Sequence, residues 1–132
     1  MNKVNVLLAS SFTGLSQSLQ RLMENEDWIQ VVGTSSLARD VVEMTNNLAP
    51  NVVVIDYELT DRFVEMAQAL LNIDPEIKIV VLSVIDQVRQ MATELLLERE
   101  PSDPAAIKWI SKNSRPVELL GAISQSRQRQ LQ

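Results

Sequence analysis

Short apolar runs alternate with stretches of helical period along nearly the whole chain. KVNVLLA at 3–9 predicts a strand, after which Phe12, Leu15, Leu19, Leu22 and Met23 recur at the spacing of one helical face. IQVVG at 29–33 predicts a second strand, closed by Gly33. Leu37, Val41, Met44, Thr45 and Leu48 then mark a helix that Pro50 ends, because proline disfavours helical geometry in the residue before it. VVVI at 52–55 is a third strand, followed by a helix carrying Phe63, Met66, Ala67, Leu70 and Leu71 that stops near Asp74-Pro75. IKIVVL at 77–82 is a fourth strand, and Val88, Met91, Ala92, Leu95 and Leu96 repeat at helical spacing. Beyond the polar loop EREPSDP comes IKWI at 107–110, a fifth strand. Ser114-Arg115-Pro116 opens a last helix through Leu120 and Ile123, proline being suited to a first helical turn.

Five strand–helix units in a row imply an α/β fold, a parallel sheet covered by helices on both faces. In such sheets, ligands and chemistry gather beyond the carboxyl ends of the strands. The polar residues at or just past those ends are Ser10, Ser11, Asp56, Ser83 and Lys112. Asp56 is the most conspicuous: in NVVVIDYE a lone carboxylate ends a strand that reads as buried throughout.

Composition narrows the chemistry. The 132 residues suit one domain, here 1–132 with a core over about 3–127 and a tail or linker start at 128–132. Hydrophobic residues make up 45% and aromatics 4%, so the core must be built from Val, Ile, Leu and Met. The chain has neither Cys nor His, which excludes thiol chemistry, His-based triads and the usual zinc sites. Seventeen acids against twelve bases give a net charge of −5, a poor match to a phosphate backbone, so no nucleic-acid contact is expected through this chain. No apolar run reaches a membrane-span length and MNKVNVLL lacks the features of a signal peptide, so a cytoplasmic protein without membrane contact is expected.

The segments VLLASSFTGLSQSLQRLM, IQVVGTSS, LAPNVVVIDYEL, DPEIKIVVLS and WISKNSRPVELLGAI resemble the receiver domains of two-component response regulators, particularly those of LuxR-like regulators. The resemblance runs from about Lys3 to about Arg127. It implies a flavodoxin-like, doubly wound sheet of strand order 2-1-3-4-5. It also implies that Asp56 occupies the phosphoacceptor position, that Ser83 and Lys112 match the hydroxyl and lysine that contact the phosphoryl group, and that Trp109 matches the switch aromatic. Receivers normally end strand one with two acids that hold magnesium. Here those positions are Ser10 and Ser11, and the turn after Asp56 is YELTDRF. The chain thus resembles a degenerate or pseudo-receiver.

Magnesium asks for a near-octahedral oxygen shell, usually with one or two carboxylates. Phosphoryl transfer is mostly positioning and charge neutralisation by that metal. With two neutral serines the expectation is no metal and no other cofactor, no enzymatic activity, and a standing Asp56–Lys112 interaction. Ser10 and Ser11 are most simply caps for the first helix, and Trp109 and Trp28 pack at sheet edges. The function expected is a regulatory or phosphorelay-type module acting through protein contacts, with a protein partner or homodimer engaged through residues 91–112, where Leu95, Leu96 and Leu97 cannot all face one core. A second reading is a conventional phosphoacceptor receiver whose Asp56 is modified by a histidine kinase. A third is a flavin- or small-ligand-binding flavodoxin-like protein, suggested by the hydroxyl-rich stretch Ser11–Ser16 and by Tyr57.

Overall fold

The computed structural model describes residues 3–84 and 106–130. Five parallel strands, β1 (Val4–Ala9), β2 (Ile29–Ser35), β3 (Val52–Asp56), β4 (Lys78–Ser83) and β5 (Ile107–Ser111), form one sheet of order β2-β1-β3-β4-β5. Helices α1 (Thr13–Glu24), α2 (Ala38–Leu48), α3 (Phe63–Ile73) and α4 (Pro116–Gln130), with a 3-10 turn at Tyr57–Leu59, complete the described elements. The helix expected around Val88–Leu96, the EREPSDP loop and most of the expected contact segment lie outside the described residues.

Strand side chains alternate between the two faces of a sheet, and here both faces are apolar. Leu7, Val53, Ile55, Ile79 and Val81 pack on one side with Val41 of α2 and Phe63, Ala67 and Leu70 of α3. Val6, Leu8, Val54, Val80 and Ile110 pack on the other with Met23 of α1 and Leu119 and Ile123 of α4. All five residues of β3 are buried, as befits the central strand of a doubly covered parallel sheet.

Local polar contacts fix the ends of the strands. Asn51 is the hinge of the amino edge: its side-chain oxygen accepts from the Asn5 amide at 2.8 Å, its own amide donates to the Asn5 carbonyl, and its carbonyl accepts from the Lys78 amide. One residue thereby ties β1, β3 and β4 together. Thr45, buried within α2, satisfies its hydroxyl by donating to the Val41 carbonyl at 2.7 Å. The helix stops before Pro50 with Ala49 in the left-handed region at φ 48°, its amide still bonded to the Thr45 carbonyl.

Two sequence expectations need correction. Gly33 does not close β2, which runs on to Ser35; it follows an irregularity where the register steps from Val6↔Val31 to Leu7↔Gly33. A Cβ there would stand 2.9 Å from Leu48 Cδ1 and 3.0 Å from Met44 Cε, so glycine lets α2 lie close to the sheet. Phe12 does not belong to the core face of α1: it precedes the helix and is 48% exposed.

The packing of α3 gives a direct test. Leu70→Ala removes a fully buried side chain and is expected to cost about 2–5 kcal/mol. Leu48→Ala, at a half-exposed position, is expected to cost under about 1 kcal/mol. Urea denaturation of both variants checks the ranking.

Candidate functional site

Each strand carries its last residues to the carboxyl edge of the sheet, and there the structure brings Ser10, Asp56 and Lys112 into contact. Asp56 is 1% exposed, at the end of the central strand, so its charge has no access to bulk water. An unpaired carboxylate in that position would be very costly. The surrounding chain supplies three donors. Lys112 Nζ stands 2.7 Å from Asp56 Oδ1. The Glu58 amide donates to the same oxygen at 3.1 Å, which makes Asp56 the cap of the 3-10 turn Tyr57–Leu59. The Ser10 hydroxyl donates to Oδ2 at 3.1 Å.

Lys112 is held from further sides. The Glu58 carboxylate lies 3.6 Å from its Nζ, at a half-exposed position where solvent weakens the attraction. The exposed Phe12 ring lies beneath the same ammonium, 5.0 Å from ring centroid to Nζ, in cation–π range. The lysine backbone is fixed as well, its amide donating to the Ser83 carbonyl at 3.1 Å where β4 and β5 end in register. Ser83 itself is buried, 5% exposed, on the strand between the two charged partners.

The serines do not act as expected for helix caps. Ser10 is buried, and its oxygen accepts from the Phe12 amide at 3.1 Å while its proton goes to Asp56. The residue flanking α1 is Phe12, which makes no side-chain cap bond. Ser10 therefore spends its hydroxyl on the pocket and on the turn that leads to the helix. Ser11 is exposed.

Sequence reasoning missed an aromatic cluster beside the pocket. Tyr57, Phe63 and Trp109 meet with ring centroids 5.4–5.6 Å apart and planes inclined by 48–54°, the tilted geometry that aromatic quadrupoles favour. Trp109 is thus packed against the strand-three turn and the start of α3. Its indole N–H is buried without a hydrogen-bond partner among the described residues. Burial pushes the Tyr57 hydroxyl above its ordinary pKa of 10.0. The Tyr57 ring, considered above as a flavin platform, is engaged by these two neighbours. A signal for the cluster was available in the scarcity of aromatics: two of the chain's five, Tyr57 and Phe63, follow Asp56 within one short segment.

The architecture is that of response-regulator receiver domains, with five parallel strands in the flavodoxin-like order. No protein-family model matches the chain. Among curated proteins, the protein-glutamate methylesterase/protein-glutamine glutaminase of Methanococcus maripaludis is 26% identical over 120 residues, 90% of this chain and 31% of that protein. The chain therefore spans about a third of that relative's length. Among solved structures, the signal receiver domain of the NarL regulator from Mycobacterium tuberculosis superposes with a TM-score of 0.79 at 17% identity, covering 95% of this chain and 96% of that one. The isolated receiver domain of RcsB from Salmonella enterica serovar Typhimurium, solved with the phosphomimetic BeF3−, gives 0.78 at 18% identity over 96% of this chain and 90% of that one. A longer RcsB chain from Salmonella typhimurium gives 0.77 at 19% identity, with 97% of this chain and 60% of that one covered. Among the described residues no helix is long and apolar enough to cross a membrane.

Two predictions come from this geometry. Asp56→Asn and Lys112→Met each strand one buried partner and are expected to destabilise by about 3–5 kcal/mol. The double variant is expected to fall short of their sum by about 1 kcal/mol or more; additive denaturation free energies would show that the pair is not coupled. The second uses the chain's single tyrosine. Absorbance titration of the folded protein is expected to give a phenol midpoint above 10.0. Because the folded pKa is raised, the fold binds this proton more tightly than the unfolded chain does. That contribution is complete below the unfolded value and is lost as pH rises through the folded one. Tyr57→Phe should remove this part of the alkaline loss of stability.

Proposed function

We propose that the chain is a receiver-like signalling module that works through protein contacts, without magnesium-dependent phosphorylation of Asp56 and without catalysis of its own. The observation that carries this reading is the state of Asp56: both carboxylate oxygens are already engaged by donors from the chain itself.

The donor set around Asp56 does not fit a magnesium ion. The two positions that carry acids in receivers are a buried serine whose proton points to Asp56 and an exposed serine. Neither supplies the negative charge that a hard, strongly hydrated cation requires before it gives up water. Glu58 adds one carboxylate, but it faces the lysine. Among the described residues no three acids converge on a common point. An ammonium already neutralises Asp56, so a divalent ion placed beside it would meet repulsion from Lys112.

A second reading, the conventional phosphoacceptor receiver served by a histidine kinase, draws support from the same residues, since Asp56, Ser83 and Lys112 all end adjacent strands at one edge. On the first reading, the partner contact involves residues 91–112, through a second copy or another protein, and does not wait for a phosphodonor.

Incubation with acetyl phosphate and magnesium, followed by intact-mass measurement, separates the two readings. The expected result is an unchanged mass; a phosphoryl adduct abolished by Asp56→Asn would establish the second reading instead. Repairing the pocket provides a further prediction. Ser10→Asp with Ser11→Asp places a new carboxylate at a position now within hydrogen-bond distance of Asp56. The double variant is expected to melt about 5 °C or more below the parent without metal, and to regain part of that loss in magnesium. The parent should show no magnesium-dependent change.

A further inference from the structure

Helix α1 is incompletely packed. On α3, Phe63, Met66, Ala67, Leu70 and Leu71 are all buried, whereas on α1 only Met23 is. Its other apolar positions, Leu15, Leu19 and Leu22, remain half-buried and line a cleft against Leu119 of α4, with Leu82 and Ile110 of the sheet as its floor. The cleft encloses about 90 Å³.

The lining also takes in the turn from β5 into α4, where Ser111, Lys112, Ser114 and Arg115 lie. On a chain of net charge −5, this lining holds two cations and no acid. Lys112 is paired with Asp56, but Arg115 is exposed and makes no ion pair among the described residues. The turn is ordered by its own bonds, Asn113 amide to Ser111 Oγ, Ser114 amide to Ser111 carbonyl and Glu118 amide to Arg115 carbonyl. An apolar slot whose lining includes an exposed arginine, unpaired among the described residues, suits a ligand with a short greasy tail and one negative head.

We propose that this cleft binds a short-chain aliphatic carboxylate, with its tail between α1 and α4 and its carboxylate on Arg115. Size sets the length of the tail. A cavity of about 150 Å³ takes a benzene ring, so a slot of this size holds roughly three to four carbons. A five-carbon acid such as pentanoate fits, with its tail inside and its head on Arg115. So few atoms limit the affinity to about the millimolar range. The site does not depend on whether Asp56 is ever phosphorylated, but its lining shares Lys112 with the Asp56 pair.

Titration of the isotope-labelled protein with pentanoate, followed by amide nuclear magnetic resonance, tests the proposal. The expected result is saturable shifts confined to residues 15–22 and 110–119, with a Kd of about 1 mM. Pentanol, matched in length but uncharged, should bind about tenfold more weakly or worse. Arg115→Gln should weaken pentanoate by about tenfold and leave pentanol unchanged. Leu19→Phe, which fills the slot, should weaken both; if that variant does not fold, the Arg115→Gln comparison suffices by itself. Absence of saturable shifts up to about 10 mM, equal binding of acid and alcohol, or an unchanged Kd in Arg115→Gln would overturn the proposal. Shifts of these residues that depend on protein concentration alone would place a second copy of the chain on this face, and would overturn it too.

Discussion

Asp56 ends the middle strand of a sheet that is covered on both faces, and a charge in that place must be neutralised by whatever the neighbouring strands bring to the same edge. This requirement organises the carboxyl edge of the molecule. From β1 comes the Ser10 hydroxyl, from the turn after β3 the Glu58 amide, and from beyond β5 the Lys112 ammonium. The lysine has the longest reach. Neighbouring strands lie about 4.8 Å apart, so from β5 to β3 it must cross the end of β4. The residue at that end is Ser83, small enough to leave a path. Residues in three separate segments are thus tied to one carboxylate.

The pair is better regarded as a device for specificity than for stability. Taking two charges from water costs several kcal/mol per ion, and an apolar pair of similar volume often does as well or better. Its value lies in having one geometry. Both Asp56 oxygens are engaged by donors of the chain, and Lys112 is bracketed by Glu58 and the Phe12 ring. A site with several carboxylates and one lysine would carry surplus negative charge and so attract a cation. Serines at positions 10 and 11 add no charge to this edge, which leaves Asp56 and the half-exposed Glu58 facing Lys112.

The sheet was legible in the sequence because its central strands are apolar on both faces, a pattern with few other solutions, and the flanking helices repeat at 3.6-residue spacing. Strand order followed from the resemblance to receivers. The failures have a common cause, which is that one residue pattern serves two structures. A Ser-Ser pair before a helix is the signature of an N-cap, yet here Ser10 forms a turn with the Phe12 amide and turns its proton to Asp56. Glycine after apolar residues signals a stop, yet Gly33 sits inside β2 where α2 comes close. Phe12 has helical spacing to Leu15 and Leu19, but the helix begins one residue later and leaves the ring over Lys112. The aromatic cluster could not be read from spacing at all. Trp109 lies far along the chain from Tyr57 and Phe63, and only the folded sheet edge brings it to them.

Lys112 stands where these features meet. On one side it neutralises Asp56; on another it lies over Phe12, at the entrance to α1; and it lines the cleft between α1 and α4. An ammonium has three donors and one charge, so any anion that draws it outward must weaken its hold on Asp56. The buried carboxylate would then be undercompensated, with Ser10 and the Glu58 amide as its remaining partners. An anion seated at the turn before α4 would stand near Lys112 as well as Arg115, and so compete in part with Asp56 for the lysine. Competition of that kind couples two sites by a difference in free energy rather than by a mechanical path.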